Sequence, residues 1–144
     1  MGILSDFFIA TPEQAVRYAK RYDEPDKGNT ITQLLKPLEL KNLTGLEMGT
    51  LWAILEGVEW DVDKHMLEEV LHDESSGVER FPDELIQLLV RADKTEIEAA
   101  CSPWAATEEL NCSPSEALSV LHGIQVLAIR SDREGKSLYL WTSC

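Results

Sequence analysis

Positive charge is the scarcest property of this chain. Its 144 residues include 13 Lys and Arg against 26 Asp and Glu, which gives a formal net charge of −13 at pH 7. Proteins that bind a phosphate backbone do so with clustered Lys and Arg, and this sequence has no run of basic residues. We therefore expect no nucleic-acid partner, and an acidic surface that favours solubility and attracts basic molecules.

The chain also lacks a long hydrophobic run and a secretion signal. No apolar stretch reaches the about 18 residues of a membrane-spanning helix, and residues 1–6 contain no basic residue ahead of the first acid. The three cysteines, Cys101, Cys112 and Cys144, are an odd number, which does not suggest a disulfide framework. Together these absences predict a cytoplasmic protein that does not associate with membranes.

Sequence motifs for catalysis are missing as well. The chain has no glycine-rich phosphate loop, no Gly-x-Ser-x-Gly elbow and no His-Glu-x-x-His helix. Cys112 precedes an expected helix start, where the pKa of a thiol can fall, but no base is close to it in the sequence. Cys101 has the apolar neighbours of a core residue. We expect no catalytic residue and no cofactor, although composition alone leaves an enzyme open.

Helix-start signals dominate what the sequence does contain. Thr11 and Ser113 each precede a proline and are followed three residues later by Gln or Glu, which is the pattern of a capping box. Helices are predicted over 12–21, over 44–56, from Asp61 or Asp63 to about Asp73, from Pro82, from Asp93 to Cys101, over 102–110 and over 114–130. Residues 23–29 are predicted to form a loop, 31–40 an extended or irregular segment, and 132–136 a turn. The apolar residues of 114–130 predict a helix that is buried on most sides.

Strand signals are confined to the two ends of the chain. Residues 6–10 and 137–142 are rich in aromatic and aliphatic residues of high β-propensity. An isolated strand leaves its backbone groups unpaired, so we expect the two ends to pair. The predicted fold is one compact domain over 1–144, α+β and mostly α-helical, with a small antiparallel sheet from short N- and C-terminal strands. A homodimer through these strands is a further possibility.

One group of side chains has the spacing of metal ligands. His65, Glu68, Glu69 and His72 would lie on neighbouring turns of the helix expected there, and imidazole with carboxylate suits zinc or iron. A carboxylate-bridged di-iron site needs a second Glu-x-x-His, which the remaining His122 does not provide. A solvated polar helix face explains the same residues without a ligand. A metal-binding or metal-assisted hydrolytic domain using His65, Glu69 and His72 is therefore the alternative hypothesis.

Four tryptophans are candidates for contact residues, because Trp is enriched at binding hot spots. They are Trp52, Trp60, Trp104 and Trp141. Trp52 has apolar neighbours at helical spacing and Trp141 lies in the expected C-terminal strand, so both are predicted to be buried. Trp60 lies in an acidic stretch between two expected helices and is the better interface candidate.

The leading hypothesis is a non-enzymatic interaction module that docks a basic protein. Its binding face is predicted to centre on Trp60, Asp61, Asp63, Glu68 and Glu69. Complementary charge would speed association, and a central aromatic side chain would hold the complex. In composition the chain resembles small acidic bacterial proteins, among them immunity proteins that neutralise a basic toxin. That resemblance is one of composition alone and involves no particular residue. It implies an immunity-like or adaptor-like role.

Overall fold

The two ends of the chain pair at the centre of a five-stranded sheet. The computed structural model describes residues 2–144. Its strands are β1 (Leu4–Ala10), β2 (Leu38–Lys41), β3 (Glu68–His72), β4 (Ser76–Arg80) and β5 (Ser137–Ser143). They lie in the order β2-β1-β5-β4-β3, and every neighbouring pair is antiparallel. The predicted α+β fold with paired terminal strands is confirmed.

Six helices cover the two faces of this sheet within residues 2–144. They are α1 (Pro12–Ala19), α2 (Pro25–Leu35), α3 (Gly45–Glu56), α4 (Asp83–Arg91), α5 (Lys94–Ala105) and α6 (Pro114–Glu134). Helices α1 and α2 pack on one face, and α3 to α6 pack on the other. Thr11, Thr44 and Asp93 each form a capping box at the start of a helix. None of the described helices has both the length and the apolar character needed to cross a membrane.

The central strands β1 and β5 each contribute side chains to two separate cores, because alternate side chains of a strand point to opposite faces. Phe7 of β1 and Leu140 of β5 join the larger core, beneath α3 to α6. Phe8 and Trp141 join the smaller core, beneath α1 and α2. Trp141 is buried, as predicted. The sheet thus separates two regions of different size and composition.

The predictions of a loop over 23–29 and of an extended or irregular segment over 31–40 were wrong for residues 25–35, whereas residues 38–40 are extended in β2. Helix α2 begins at Pro25, ends at Leu35 and is stopped by Lys36 in a left-handed conformation (φ 48°). Gly28 marks a close approach of the chain, since a Cβ there would lie 2.3 Å from the carbonyl oxygen of Arg21. The glycine that suggested a loop thus allows the first turn of α2 to pack against the turn that precedes it.

The helix predicted from Asp61 or Asp63 to Asp73 was also wrong. Strands β3 and β4 form a hairpin there, with a bulge between Glu69 and Leu71. The Asp73 carboxylate accepts hydrogen bonds from the backbone N–H groups of Ser75 (3.0 Å) and Ser76 (2.9 Å). An Asp side chain bound to the backbone ahead of it stabilises a turn at the expense of a helix.

Pro103 does not end the helix that contains it. Helix α5 continues to Ala105, and the carbonyl of Ser102 accepts from the N–H of Ala106 at 3.1 Å, so the predicted helix 102–110 capped by Ser102 was wrong. The fully buried Trp104 anchors this last turn, because its Nε1 donates to the carbonyl of Glu47 at 3.0 Å.

Helix α6 is longer and less buried than predicted. It extends to Glu134, past Arg130, and Gly135 (φ 67°) ends it, so most of the turn predicted over 132–136 is helical. One face is buried, while Val126 and Ile129 are exposed. The expectation of burial on most sides was therefore wrong. The apolar residues outside the buried face lie at the surface.

Candidate functional site

The segment between α3 and β3 forms one side of a shallow depression, which we call the Trp60 groove. The groove has a volume of about 240 Å³ and is lined by Gly45, Leu46, Trp60, Val62, His65, Met66, Leu67 and Glu79. Four of its apolar side chains are well exposed: Leu46 by 44%, Trp60 by 43%, Val62 by 58% and Met66 by 57%. Grouped exposed apolar side chains are typical of a contact surface. Trp60 therefore lies where an interface residue would be expected.

Two glycines of α3 allow the chain to come close enough to form this groove. A Cβ on Gly49 would lie 2.2 Å from the carbonyl oxygen of His65 and 3.3 Å from Nε1 of Trp60. A Cβ on Gly45 would lie 2.8 Å from a carboxylate oxygen of Glu79. Residues four apart share a helix face, so the two glycines form one surface without side chains. Their spacing is the sequence signal that could have located the groove.

His65 holds the segment in place. Its Nδ1 accepts the backbone N–H of Asp61 at 2.9 Å, so Nε2 carries the hydrogen of the neutral ring and donates to Glu56 at 3.1 Å. The ring is 3% exposed and packs edge-on against Trp52, with 5.4 Å between ring centroids. Hydrogen bonds from Lys64 and His65 lower the pKa of Glu56. Both imidazole nitrogens are thus engaged within the protein.

The predicted metal ligands do not come together. Glu69 and His72 lie on strand β3, whereas His65 lies before it with both nitrogens engaged. The helical spacing that motivated the site is absent. In the part of the chain that the structure describes, no group of three or more His, Cys, Asp or Glu residues could hold a metal ion.

Two glutamates stand directly opposite each other beside the groove. Glu69 of β3 is the register partner of Glu79 of β4. Burial raises the pKa of the Glu79 carboxyl, the charge of Glu69 raises it further, and His72 lowers it. Arg80 instead bonds to Glu68 at 2.8 Å and to Asp83 at 3.0 Å. Among residues 2–144, neither Glu69 nor Glu79 has a side-chain hydrogen bond or ion pair.

Acidic residues are concentrated in the stretch of chain that contains most of the groove residues. The stretch 56–84 contains eleven Asp and Glu against two Lys and Arg. Of the predicted acids, Glu68 pairs with Arg80, and Asp61 accepts the backbone N–H of Asp63 at 2.9 Å. Asp63 and Glu69 are exposed, and no described residue pairs with either side chain. The five predicted contact residues thus lie on one loop and the strand after it, and Glu79 is the neighbour that sequence reasoning missed.

The cysteines show no sign of activation. All three are free thiols, and the buried Cys101 donates to the carbonyl of Ile97 at 3.2 Å. Burial raises the pKa of Cys112, and the nearby Glu116 raises it further. A nucleophilic thiol needs a lowered pKa, so the position of Cys112 near a helix start does not activate it.

A second polar cluster lies on the opposite face of the sheet. Tyr18 donates its hydroxyl hydrogen to Asp6 at 2.5 Å, and Arg21 lies 3.5 Å from the same carboxylate oxygen. The Arg21 guanidinium also lies over the rings of Tyr18 (3.9 Å), Tyr22 (4.6 Å) and Trp141 (4.1 Å). Asp6 and Arg21 are thus partners within the protein and brace α1 against the sheet, although the exposed Glu39 of β2 stands opposite Asp6.

No family model, curated protein or solved structure matches this chain. In the cluster around Tyr18, the buried carboxylate of Asp6 has Arg21 as its cation, whereas neither Glu69 nor Glu79 has one among residues 2–144.

Proposed function

We propose that this protein is a non-enzymatic interaction module that docks a basic protein partner through the Trp60 groove. One observation carries the proposal: exposed apolar side chains around Trp60 adjoin the unpaired acids Asp63 and Glu69 in the most acidic stretch of the chain. An apolar centre with a charged rim is the usual anatomy of a protein interface.

The two parts of this surface would contribute differently to binding. Trp60 would supply binding energy, because a large ring that loses its water on docking is a typical hot spot. The surrounding acids would mainly raise the association rate of a basic partner and repel acidic ones. Added salt should therefore lower the association rate more than it raises the dissociation rate of the complex.

The charge of this surface also favours a different protein over a second copy of the chain. Self-association through the groove would bring two strongly acidic surfaces together, which is unfavourable. The homodimer expected through the terminal strands meets another obstacle, since β1 and β5 are paired on both sides and only β2 and β3 are edges of the described sheet. Trp141 is 2% exposed and therefore makes no outer contact.

An immunity-like or adaptor-like role in the cytoplasm fits this proposal. In such a role the acidic face would cover the basic surface of its partner, so binding itself would be the function. Three free thiols are consistent with a reducing compartment.

Affinity capture with matched charge variants tests the proposal. Immobilised wild-type protein is compared with Asp63→Lys/Glu69→Lys and with Glu108→Lys/Glu109→Lys in a lysate of the source cells at low salt. Both double variants change the net charge equally, and all four acids are exposed. We expect the wild type and the Glu108→Lys/Glu109→Lys control to retain the same basic polypeptide, released by rising salt, and Asp63→Lys/Glu69→Lys to lose it.

A second pair of variants tests the apolar centre. Trp60→Ala should release the captured polypeptide, whereas Leu34→Ala, which truncates a more exposed side chain on α2, should retain it. Equal retention by all variants would contradict the proposal, because binding would then depend on neither the groove nor its acids.

A further inference from the structure

We infer that the Trp60 groove receives a single cationic side chain, Lys or Arg, from the partner, with the Glu79 carboxylate as its counter-ion. This inference rests on the proposed docking function and specifies the chemistry that the groove recognises. Two independent features lead to it, the state of the Glu79 carboxylate and the composition of the groove walls.

The Glu79 carboxylate lacks a cation in a place where it needs one. It is half-buried at the wall of the groove, close to Gly45 in the first turn of α3, and it faces Glu69 across the hairpin. Like charges directly opposite each other on neighbouring strands are destabilising. The positive end of the α3 dipole offsets part of this cost. A cation arriving from outside would offset more of it, because it would approach both carboxylates.

The walls of the groove suit the remainder of such a side chain. Trp60, Val62 and Met66 provide an apolar surface, against which the methylene stem of Lys or Arg can pack while its charged end reaches the carboxylate. The Trp60 ring can also attract a cation through its π face. A volume of about 240 Å³ has room for one extended side chain but not for a helix.

The same arrangement disfavours a neutral apolar side chain. Leu or Met in the groove would remove water from Glu79 without giving it a partner, and an uncompensated buried carboxylate is costly. The groove would therefore select a cation as much by rejecting apolar side chains as by attracting charged ones.

Titration with capped tripeptides, followed by NMR of the ¹⁵N-labelled full chain, tests the inference. The probes are acetyl-Gly-Lys-Gly-amide, acetyl-Gly-Arg-Gly-amide and acetyl-Gly-norleucine-Gly-amide, the last of which keeps the stem of lysine without its charge. We expect saturable shifts of the Trp60 indole N–H and of the Gly45 and Leu46 amides with the Lys or Arg probe. We expect none with norleucine.

Glu79→Gln isolates the role of the counter-ion. Loss of one charge-assisted contact should weaken the response to the cationic probe by about tenfold or more. Glu109→Gln removes an equal charge from an exposed site far along the chain and should leave the response unchanged. Amide spectra that coincide outside the groove would show that Glu79→Gln is folded.

The outcomes separate this inference from the proposed function. Equal shifts with norleucine and lysine probes, or an unchanged response in Glu79→Gln, would overturn the inference. If capture of a partner still required Trp60 and Glu69 in that case, the docking function would stand and the groove would accept another side chain. If the probes bound as expected but no variant altered capture, the cation site would stand and the docking function would fall.

Discussion

The two faces of the sheet differ in whether a carboxylate on a strand has a cation beside it. Beneath α1, the carboxylate of Asp6 is met by Tyr18 and Arg21, and the guanidinium is enclosed by aromatic rings. At the other end of the sheet, Glu79 faces Glu69, and the nearest arginine pairs elsewhere. Each of these carboxylates has an acid opposite it on the neighbouring strand, Glu39 for Asp6 and Glu69 for Glu79, but only Asp6 has a cation as well. A carboxylate with a cation contributes to the fold, whereas unpaired carboxylates beside an exposed groove remain free to bind a ligand.

The distribution of charge along the chain follows the same division. Residues 12–36, which form α1, α2 and their connection, contain five Lys and Arg and four Asp and Glu. Residues 56–84 contain two Lys and Arg and eleven Asp and Glu. Most of the net charge of −13 therefore comes from the stretch of chain that includes the groove residues Trp60 to Leu67 and Glu79. A basic partner would be oriented toward the groove before contact.

Breaking the paired cluster should have the largest effect on stability. Arg21→Met leaves Asp6 buried without its cation, and removal of one partner of a buried ion pair costs about 3–5 kcal/mol of the free energy of unfolding. The lower end is expected, because burial already raises the pKa of Asp6 and protonation can relieve part of the cost. Urea unfolding monitored by circular dichroism at pH 7 measures the change.

Two companion variants define what the result means. Arg17→Met alters an exposed arginine of α1, four residues before Arg21, and should change stability by less than about 0.5 kcal/mol. Asp6→Asn keeps a polar partner for Tyr18 and should cost less than Arg21→Met. If Arg21→Met were as stable as the wild type, the cluster would not be a brace and the comparison between the two faces would fail.

A methyl group between α3 and the segment that carries Trp60 should have the next largest effect. Gly49→Ala places a Cβ against the His65 carbonyl and near Trp60, and overpacking of this kind costs about 1–3 kcal/mol of the free energy of unfolding. We expect a lower unfolding midpoint and a displaced Trp60 indole signal in NMR spectra. The cationic probe should also bind more weakly, because the wall containing Trp60 must move.

Gly123→Ala is the matched control within another helix. Its Cβ would meet only a terminal methyl carbon of Leu38, at 2.8 Å, and that flexible end can move. Alanine is favoured over glycine inside a helix by about 1 kcal/mol, so Gly123→Ala should be neutral or stabilising. Equal effects of the two substitutions would contradict the role assigned to Gly49.

The elements that sequence reasoning located are those decided by neighbouring residues. Thr11 and Thr44 cap helices through hydrogen bonds to residues two or three positions ahead, and a pattern of that range is visible in the sequence. Trp60 was selected as the interface candidate because its neighbours are acidic, and its side chain is 43% exposed. Local polarity was sufficient to single out this exposed tryptophan.

The elements it missed depend on contacts between distant residues. Strand β4 is held by pairing with β5, where Val78 faces Trp141 more than sixty residues away. Without β4 there is no register to place Glu79 opposite Glu69, so the central carboxylate of the site could not be found. Arg21 and Asp6 likewise meet only because α1 folds back on β1. Hydrophobic residues such as Val70 and Leu71 are compatible with either a helix or a strand, and tertiary pairing decides between them.

The smallest expected effect is a gain in stability from neutralising Glu79. Glu79→Gln removes the like-charge contact with Glu69, and cross-strand pairs of this kind contribute about 0.2–1 kcal/mol to the free energy of unfolding. At pH 7 the variant should therefore unfold at a slightly higher temperature than the wild type. Glu109→Gln, at an exposed position without an opposing carboxylate in the sheet, should unfold at the wild-type temperature.

The pH dependence of this gain identifies its cause. The folded protein raises the pKa of Glu79 above the ordinary 4.5, so it binds this proton more tightly than the unfolded chain does. The contribution of Glu79 to the free energy of unfolding is thus most favourable below pH 4.5. It is lost as the pH rises through the pKa of Glu79 in the folded protein. The unfolding temperatures of wild type and Glu79→Gln should diverge across this pH range as Glu79 ionises. The raised pKa of Asp6 affects both proteins alike. A destabilised Glu79→Gln at pH 7 would mean that the carboxylate is already satisfied within the fold, and the contrast between the two faces would disappear.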